Sequence, residues 1–165
     1  MRLIIHDLDS DMAKNILSAS EDVCIIANNS KIQNCIGCFG CWIKTPGKCI
    51  IRDTYGDMGE MLAKIDELII VSECFYGGFS PFVKNVLDRS ISYVHPYFVI
   101  KNGEMHHKNR YPNHFDMRIF LYGENITQKE KETASNLAQA NAINLYSQVK
   151  ELTFAQAAQE FAGKV

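Results

Sequence analysis

Short apolar runs that alternate with amphipathic stretches constrain this chain more than any other feature. Arg2–Leu8, Val23–Ala27, Leu68–Val71 and Met117–Tyr122 are rich in Leu, Ile and Val and lack the polar alternation of a half-exposed strand. Such runs read as strands buried on both faces, the condition of a parallel sheet. Val149–Phe154 is the fifth candidate. Strands that alternate with helices predict an α/β fold, a doubly wound five-stranded parallel sheet with right-handed crossovers. The ligand crevice of such a sheet lies beyond the carboxyl ends of its strands. The loops after Leu8, Ala27, Val71 and Tyr122 are therefore the ones where function is expected.

The helical stretches have start signals of their own. Met12–Ala19 keeps Met12, Ala13, Ile16 and Leu17 at helical spacing, with Ser10 or Asp11 available as a cap. Met58, Met61, Leu62 and Ile65 form one face of a helix over Asp57–Ile65. Ser80 followed by Pro81 opens a helix that runs to about Tyr93, since proline suits the first helical position. Thr127 and Glu130 make a capping box for a helix through about Leu145, and Ala155–Ala162 reads as a closing helix. Between the third helix and the fourth strand, residues 95–114 are long, polar and aromatic. An excursion of that length is expected to be a lid, a hairpin or an interface.

The chain has 165 residues, which suits one domain, 1–165, and its 47% hydrophobic content is enough for a sizeable core. A net charge of −2 leaves no basic footprint for nucleic acid. No stretch has the length of a membrane span, and MRLIIHDLDSD turns acidic too soon for a secretory signal. With unpaired-looking cysteines, these features point to a cytoplasmic protein without a membrane partner.

Four of the six cysteines fall in the loop 35–49, CIGCFGCWIKTPGKC. Cys35, Cys38 and Cys41 are each two residues apart, and Cys49 follows after seven more. Gly37, Gly40 and Gly47 allow tight or left-handed turns, and Pro46 fixes a bend before the last cysteine, so a turning loop could aim four thiolates at one point. On spacing alone an iron–sulfur cluster and simply reduced, buried thiols stand level; a tetrathiolate zinc site, which favours two separated C-x-x-C knuckles, comes after the cluster, and crowded disulfides after zinc.

Two motifs carry a resemblance to a known family. The cysteine loop, with PGKCIIRDTYGDM after it, resembles the C-x2-C-x2-C-plus-one motif of the iron–sulfur flavoprotein branch of the flavodoxin-like NAD(P)H-dependent FMN reductases. VSECFYGGFSPFVKNVLDR is similar to that family's flavin loop and following helix, and the likeness continues into HPYFVIKNGEMHHKNRY. The resemblance implies a flavodoxin-like fold and an FMN-dependent oxidoreductase that passes electrons from NAD(P)H or a redox protein to a small acceptor. It implies an FMN site built from Ser10, Cys74, Phe75, Tyr76, Gly77, Gly78, Ser80 and Gly123, and a [4Fe-4S] cluster on Cys35, Cys38, Cys41 and Cys49. It also implies a homodimer or homotetramer. No side chain need be catalytic, because the flavin carries the chemistry. The alternative is a flavin-free member of the fold, whose cysteine loop holds a cluster or zinc for electron transfer, sensing or partner binding.

The first loop departs from the family. Relatives bind the FMN phosphate on a serine-rich turn, whereas this chain has His6, Asp7, Leu8, Asp9, Ser10 and Asp11 there. Backbone donors and hydroxyls at a positive helix end suit a phosphate; three aspartates do not. Either a residue from elsewhere neutralises the phosphate, or FMN binds weakly or not at all. Of the remaining residues, His106 and His107 are adjacent and should point to opposite sides of a hairpin. Asp88 and Arg89 read as a structural ion pair, and Trp42 as an anchor of its loop.

Overall fold

The computed structural model describes residues 1–17, 21–28 and 32–165. In chain order its strands are β1 (Arg2–His6), β2 (Val23–Ala27), β3 (Glu67–Phe75), β4 (Gly78–Phe79), β5 (Val94–Lys101), β6 (Glu104–Asn109), β7 (Asp116–Tyr122) and β8 (Gln148–Ala155). The helices are α1 (Ser10–Ile16), α2 (Gly40–Ile43), α3 (Met58–Leu62), α4 (Pro81–Arg89) and α5 (Gln128–Asn144). The main sheet has the order β2-β1-β3-β7-β8, with every neighbouring pair parallel. Counting only these five strands, the order is 2-1-3-4-5, that of the flavodoxin-like fold, whose topological switch point lies between β1 and β3.

Alternation along each strand divides the core in two. Leu3, Ile5, Leu68, Ile70, Met117, Ile119 and Leu121 face α3, α4 and the alanine stripe Ala134, Ala138 and Ala142 of α5. Ile4, Ile69, Val71 and Phe120 face the other way, onto Ile16 of α1 and Phe161 of a short 3-10 turn, Ala158–Phe161. Both clusters need strands that are apolar on both faces, as the sequence pattern required.

Several boundaries differ from the sequence reading. The first helix is capped by Asp9 rather than Ser10 or Asp11: its extended backbone lets the carboxylate accept from the N–H groups of Asp11 and Met12. It ends at Ile16, where Leu17 turns extended; the expected last residues, 18 and 19, lie outside the described residues. Helix α3 spans only Met58–Leu62 within the expected Asp57–Ile65. The glycine-bearing loop after β3 is largely a tight hairpin, because β3 continues to Phe75 and the short antiparallel β4 pairs with it across Tyr76 and Gly77, both at positive φ. Most of the excursion 95–114 is the antiparallel hairpin β5–β6. The closing helix shrinks to the 3-10 turn, since β8 runs to Ala155.

Candidate functional site

The carboxyl ends of β1, β3 and β7 meet at Asp7. Its Oδ2 accepts from the Glu73 N–H at 2.9 Å and the Ser72 hydroxyl at 3.3 Å, while Oδ1 accepts from the Tyr122 hydroxyl at 2.9 Å. Burial, reinforced by the Asp7 charge, pushes the Tyr122 phenol far above its ordinary range, so it remains a donor. Two residues along, Asp9 Oδ1 takes the N–H groups of Asp11 at 3.0 Å and Met12 at 2.8 Å at the start of α1. Two hydroxyls and three N–H groups around the switch point and the helix start are therefore already bound to carboxylates from the chain itself.

Next to this junction lies a crevice of about 560 Å³, lined among others by Glu73, Cys74, Tyr122, Gly123, Glu124 and Glu130. Cys74 is half-buried, and burial raises its thiol pKa, partly offset by the Gly77 N–H. Gly77 packs against α5 so closely that a Cβ would sit 2.8 Å from the Glu130 carbonyl oxygen. Gly78 is in β4. Phe75 and Tyr76 stand exposed and meet edge to face at 5.1 Å, outside the residues that line the crevice. Ser10 is exposed at the first position of α1, and Ser80 is buried at the cap of α4, its N–H on the Ser72 hydroxyl and its own hydroxyl without a protein partner. Of the eight residues expected around a flavin, the structure brings Cys74 and Gly123 to the crevice wall.

The residues at this junction suit a phosphate poorly: it would meet the carboxylates of Asp7, Asp9 and Glu73, and the N–H groups of Glu73, Asp11 and Met12 are already bound within the chain. The sequence reading recognised the acidic loop but missed Asp7, Ser72 and Tyr122 as one hydrogen-bonded set. Three polar residues at the ends of three strands that the flavodoxin-like order makes adjacent were the available signal.

The second region is the cysteine loop. Phe39, at a left-handed φ of 55°, starts the one-turn helix α2, which carries Cys41 inward. The expected open loop is thus partly helical there. Cys35 and Cys38 are exposed, Cys41 is buried and Cys49 is half-buried. Burial raises the Cys41 thiol pKa, and the charges of Cys49, Cys35 and Cys38 add to the effect. Among the described residues no three His, Cys, Asp or Glu side chains converge closely enough to hold a metal ion. The donor set suits a soft metal in chemistry, four sulfurs on one loop, but the arrangement is open.

The loop is held by a buried charge. Arg89 is fully buried and forms a bidentate pair with Asp53, at 2.7 and 2.8 Å, while Nη1 also donates to the Gln33 carbonyl at 2.8 Å. Asp88 instead pairs with Lys84, so Asp88 and Arg89 are not partners of each other. Burial works against the Asp53 charge, yet Arg89 and the N–H groups of Tyr55 and Gln33 outweigh it and hold the carboxyl below its ordinary range. Burial likewise opposes the Arg89 charge, but Asp53 and a hydrogen bond to Cys49 keep its pKa raised. Trp42 anchors the other side of the loop, donating to the Val94 carbonyl at 2.9 Å. The histidines of the hairpin diverge as expected: His107 stacks on Trp42, and His106 bonds Asn144.

No protein-family model matches the chain, and no curated protein matches it by sequence. Solved structures do match, two of them as follows. The Trp repressor binding protein from Bacillus subtilis superposes with a TM-score of 0.54 at 15% identity, over 95% of this chain and 87% of that one. A flavone reductase superposes with a TM-score of 0.52 at 12% identity, over 99% of this chain but only 57% of its own length. No helix among the described residues is long and apolar enough to cross a membrane. The strand order and these neighbours together place the chain in the flavodoxin-like fold.

Proposed function

We propose that this chain is a flavodoxin-like redox protein whose working centre is the cysteine loop rather than the switch-point crevice. The observation that carries the reading is the occupation of the phosphate donors by Asp7 and Asp9. With carboxylates of the chain already on donors at the switch point, the sulfurs of Cys35, Cys38, Cys41 and Cys49 are the candidate redox groups. An iron–sulfur cluster held by them would supply one-electron transfer; zinc would supply structure only. The chain's own contribution is positional. Arg89 and Asp53 fix the segment around Cys49, Trp42 fixes the segment around Cys41, and Cys41 must give up a proton to ligate.

Iron, zinc and acid-labile sulfide assayed on protein purified without oxygen test the reading. Metal bound in proportion to the chain, and lost in Cys38→Ser, is the expected result. Metal-free protein from an anaerobic preparation would refute it. On the same reading electrons come singly from a redox protein and leave to a one-electron acceptor, and the chain assembles as a homodimer or homotetramer.

A second reading keeps the flavin. The fold, the name flavone reductase carried by one structural neighbour, and the 560 Å³ crevice beside the Gly77–Gly78 turn favour an FMN-dependent reductase. Bleaching of a tightly bound flavin by NADH or NADPH would support it over the first.

A further inference from the structure

Beside the cysteine loop lies a second cavity, of about 490 Å³, bounded by Cys35 and Phe39 of that loop, Ile91 and Asp88 after and on α4, His107 of β6 and Asn141 of α5. Its size falls in the range of small-molecule sites. None of the residues named for a flavin lines it, and Cys35 is the only proposed metal ligand that does.

The cavity has an aromatic wall made of Phe39 and His107. Trp42 joins the two, stacked on Phe39 at 5.3 Å and 13° and tilted against His107 at 4.8 Å. Phe39 is 55% exposed and so remains open to a further partner. Phe39 holds its place at φ 55°, a backbone conformation that residues other than glycine rarely take. A flat ring laid against this wall would gain stacking that solvent does not provide.

The polar groups define the rest of the ligand. His107 Nδ1 lies 2.9 Å from the His95 carbonyl oxygen, which can only accept, so Nδ1 carries a proton and Nε2 is the ring atom left for a ligand. The Asp88 carboxylate is held by the Lys84 ammonium at 2.8 and 2.7 Å, so its charge is balanced. Asn141 offers an amide with both a donor and an acceptor. The cavity therefore has an apolar, aromatic body and an edge that is polar but carries no unbalanced charge.

We propose that this cavity binds a small, neutral, planar aromatic molecule with a hydrogen-bonding edge, its ring against the aromatic wall and its edge toward His107 and Asn141. Such a ligand lies beside Cys35, the one residue the cavity shares with the metal ligands of the reading above. Its binding does not depend on what the loop carries.

Calorimetric titration with 2-naphthamide tests the site, with metal content measured on the same anaerobic samples so that failure of the cavity and failure of the metal reading are told apart. Saturable binding to one site per chain is expected. Filling the cavity with Asn141→Tyr should weaken binding by about tenfold or more, and Ile91→Phe, at a partly exposed position, provides a second filling variant should the first not fold. The anionic 2-naphthoate, of nearly the same shape, should bind about tenfold more weakly. Absence of saturable heat, equal affinity in the folded filling variants, or equal affinity for the anion would each overturn the proposal.

Discussion

The strand-end junction and the cysteine loop are both loop regions at the carboxyl ends of parallel strands, yet they are finished in opposite ways. At the junction five donors meet carboxylates of the chain: Asp7 takes the Ser72 and Tyr122 hydroxyls and the Glu73 N–H, and Asp9 takes the N–H groups of Asp11 and Met12. In the cysteine loop the scaffold is tied down by Arg89, Asp53 and Trp42, while two of the four thiols are left exposed. The same topology thus yields one site whose carboxylates are bound to the chain's own donors and one that is braced but open. A fold fixes where a crevice lies; the few residues at the strand ends decide whether it can take a ligand.

The largest effect should come from the brace. Arg89→Met leaves the Asp53 carboxylate buried without its partner and should cost about 3–5 kcal/mol in denaturant unfolding. A loss below about 1 kcal/mol would mean that Arg89 does not anchor the loop. At the junction, Asp7→Ala leaves the Tyr122 hydroxyl and the Glu73 N–H without their acceptor and should cost about 1–3 kcal/mol. The same substitution should raise affinity for inorganic phosphate, read by calorimetry, because it removes the charge that competes for those donors. Asp9→Ala should cost about 1 kcal/mol, the ordinary value of a helix cap, and Asp9→Asn less, since the amide oxygen still accepts.

The smallest expected effect concerns pH. Burial holds the His6 pKa below the ordinary imidazole value of 6.5, with Asp7 partly offsetting the effect. The unfolded chain therefore binds a proton that the folded chain refuses, so stability is intact above pH 6.5 and falls as pH drops below it. Asp53, also depressed, adds a second loss as pH falls below 3.8. Denaturation midpoints measured across this range should decline in that order, and His6→Gln should remove the first decline.

Much of the fold was legible because its cause is local and periodic. Runs such as Leu68–Val71 can be buried on both faces only in a parallel sheet, and the capping box of Thr127 and Glu130 forms as the sequence reading placed it. The short strand β4 was not legible, since a two-residue strand exists only through its pairing with Cys74 and Phe75. The site was legible in composition but not in wiring. The acidic first loop and the cysteine spacing could be read, whereas Asp7 meeting Tyr122 spans 115 positions and Arg89 meeting Asp53 spans 36. Adjacent charges misled for the same reason: Asp88 and Arg89 neighbour each other in sequence but point to different partners.

The most direct test of the difference between the two regions is equilibrium binding of FMN and riboflavin, side by side, to the anaerobically purified chain. The two ligands differ only by the phosphate. If Asp7 and Asp9 fill the phosphate's place, FMN gains nothing over riboflavin, and any flavin affinity is equal or favours the uncharged ligand. FMN binding tighter than riboflavin by about tenfold or more would show that the junction does accept a phosphate, and would contradict the account.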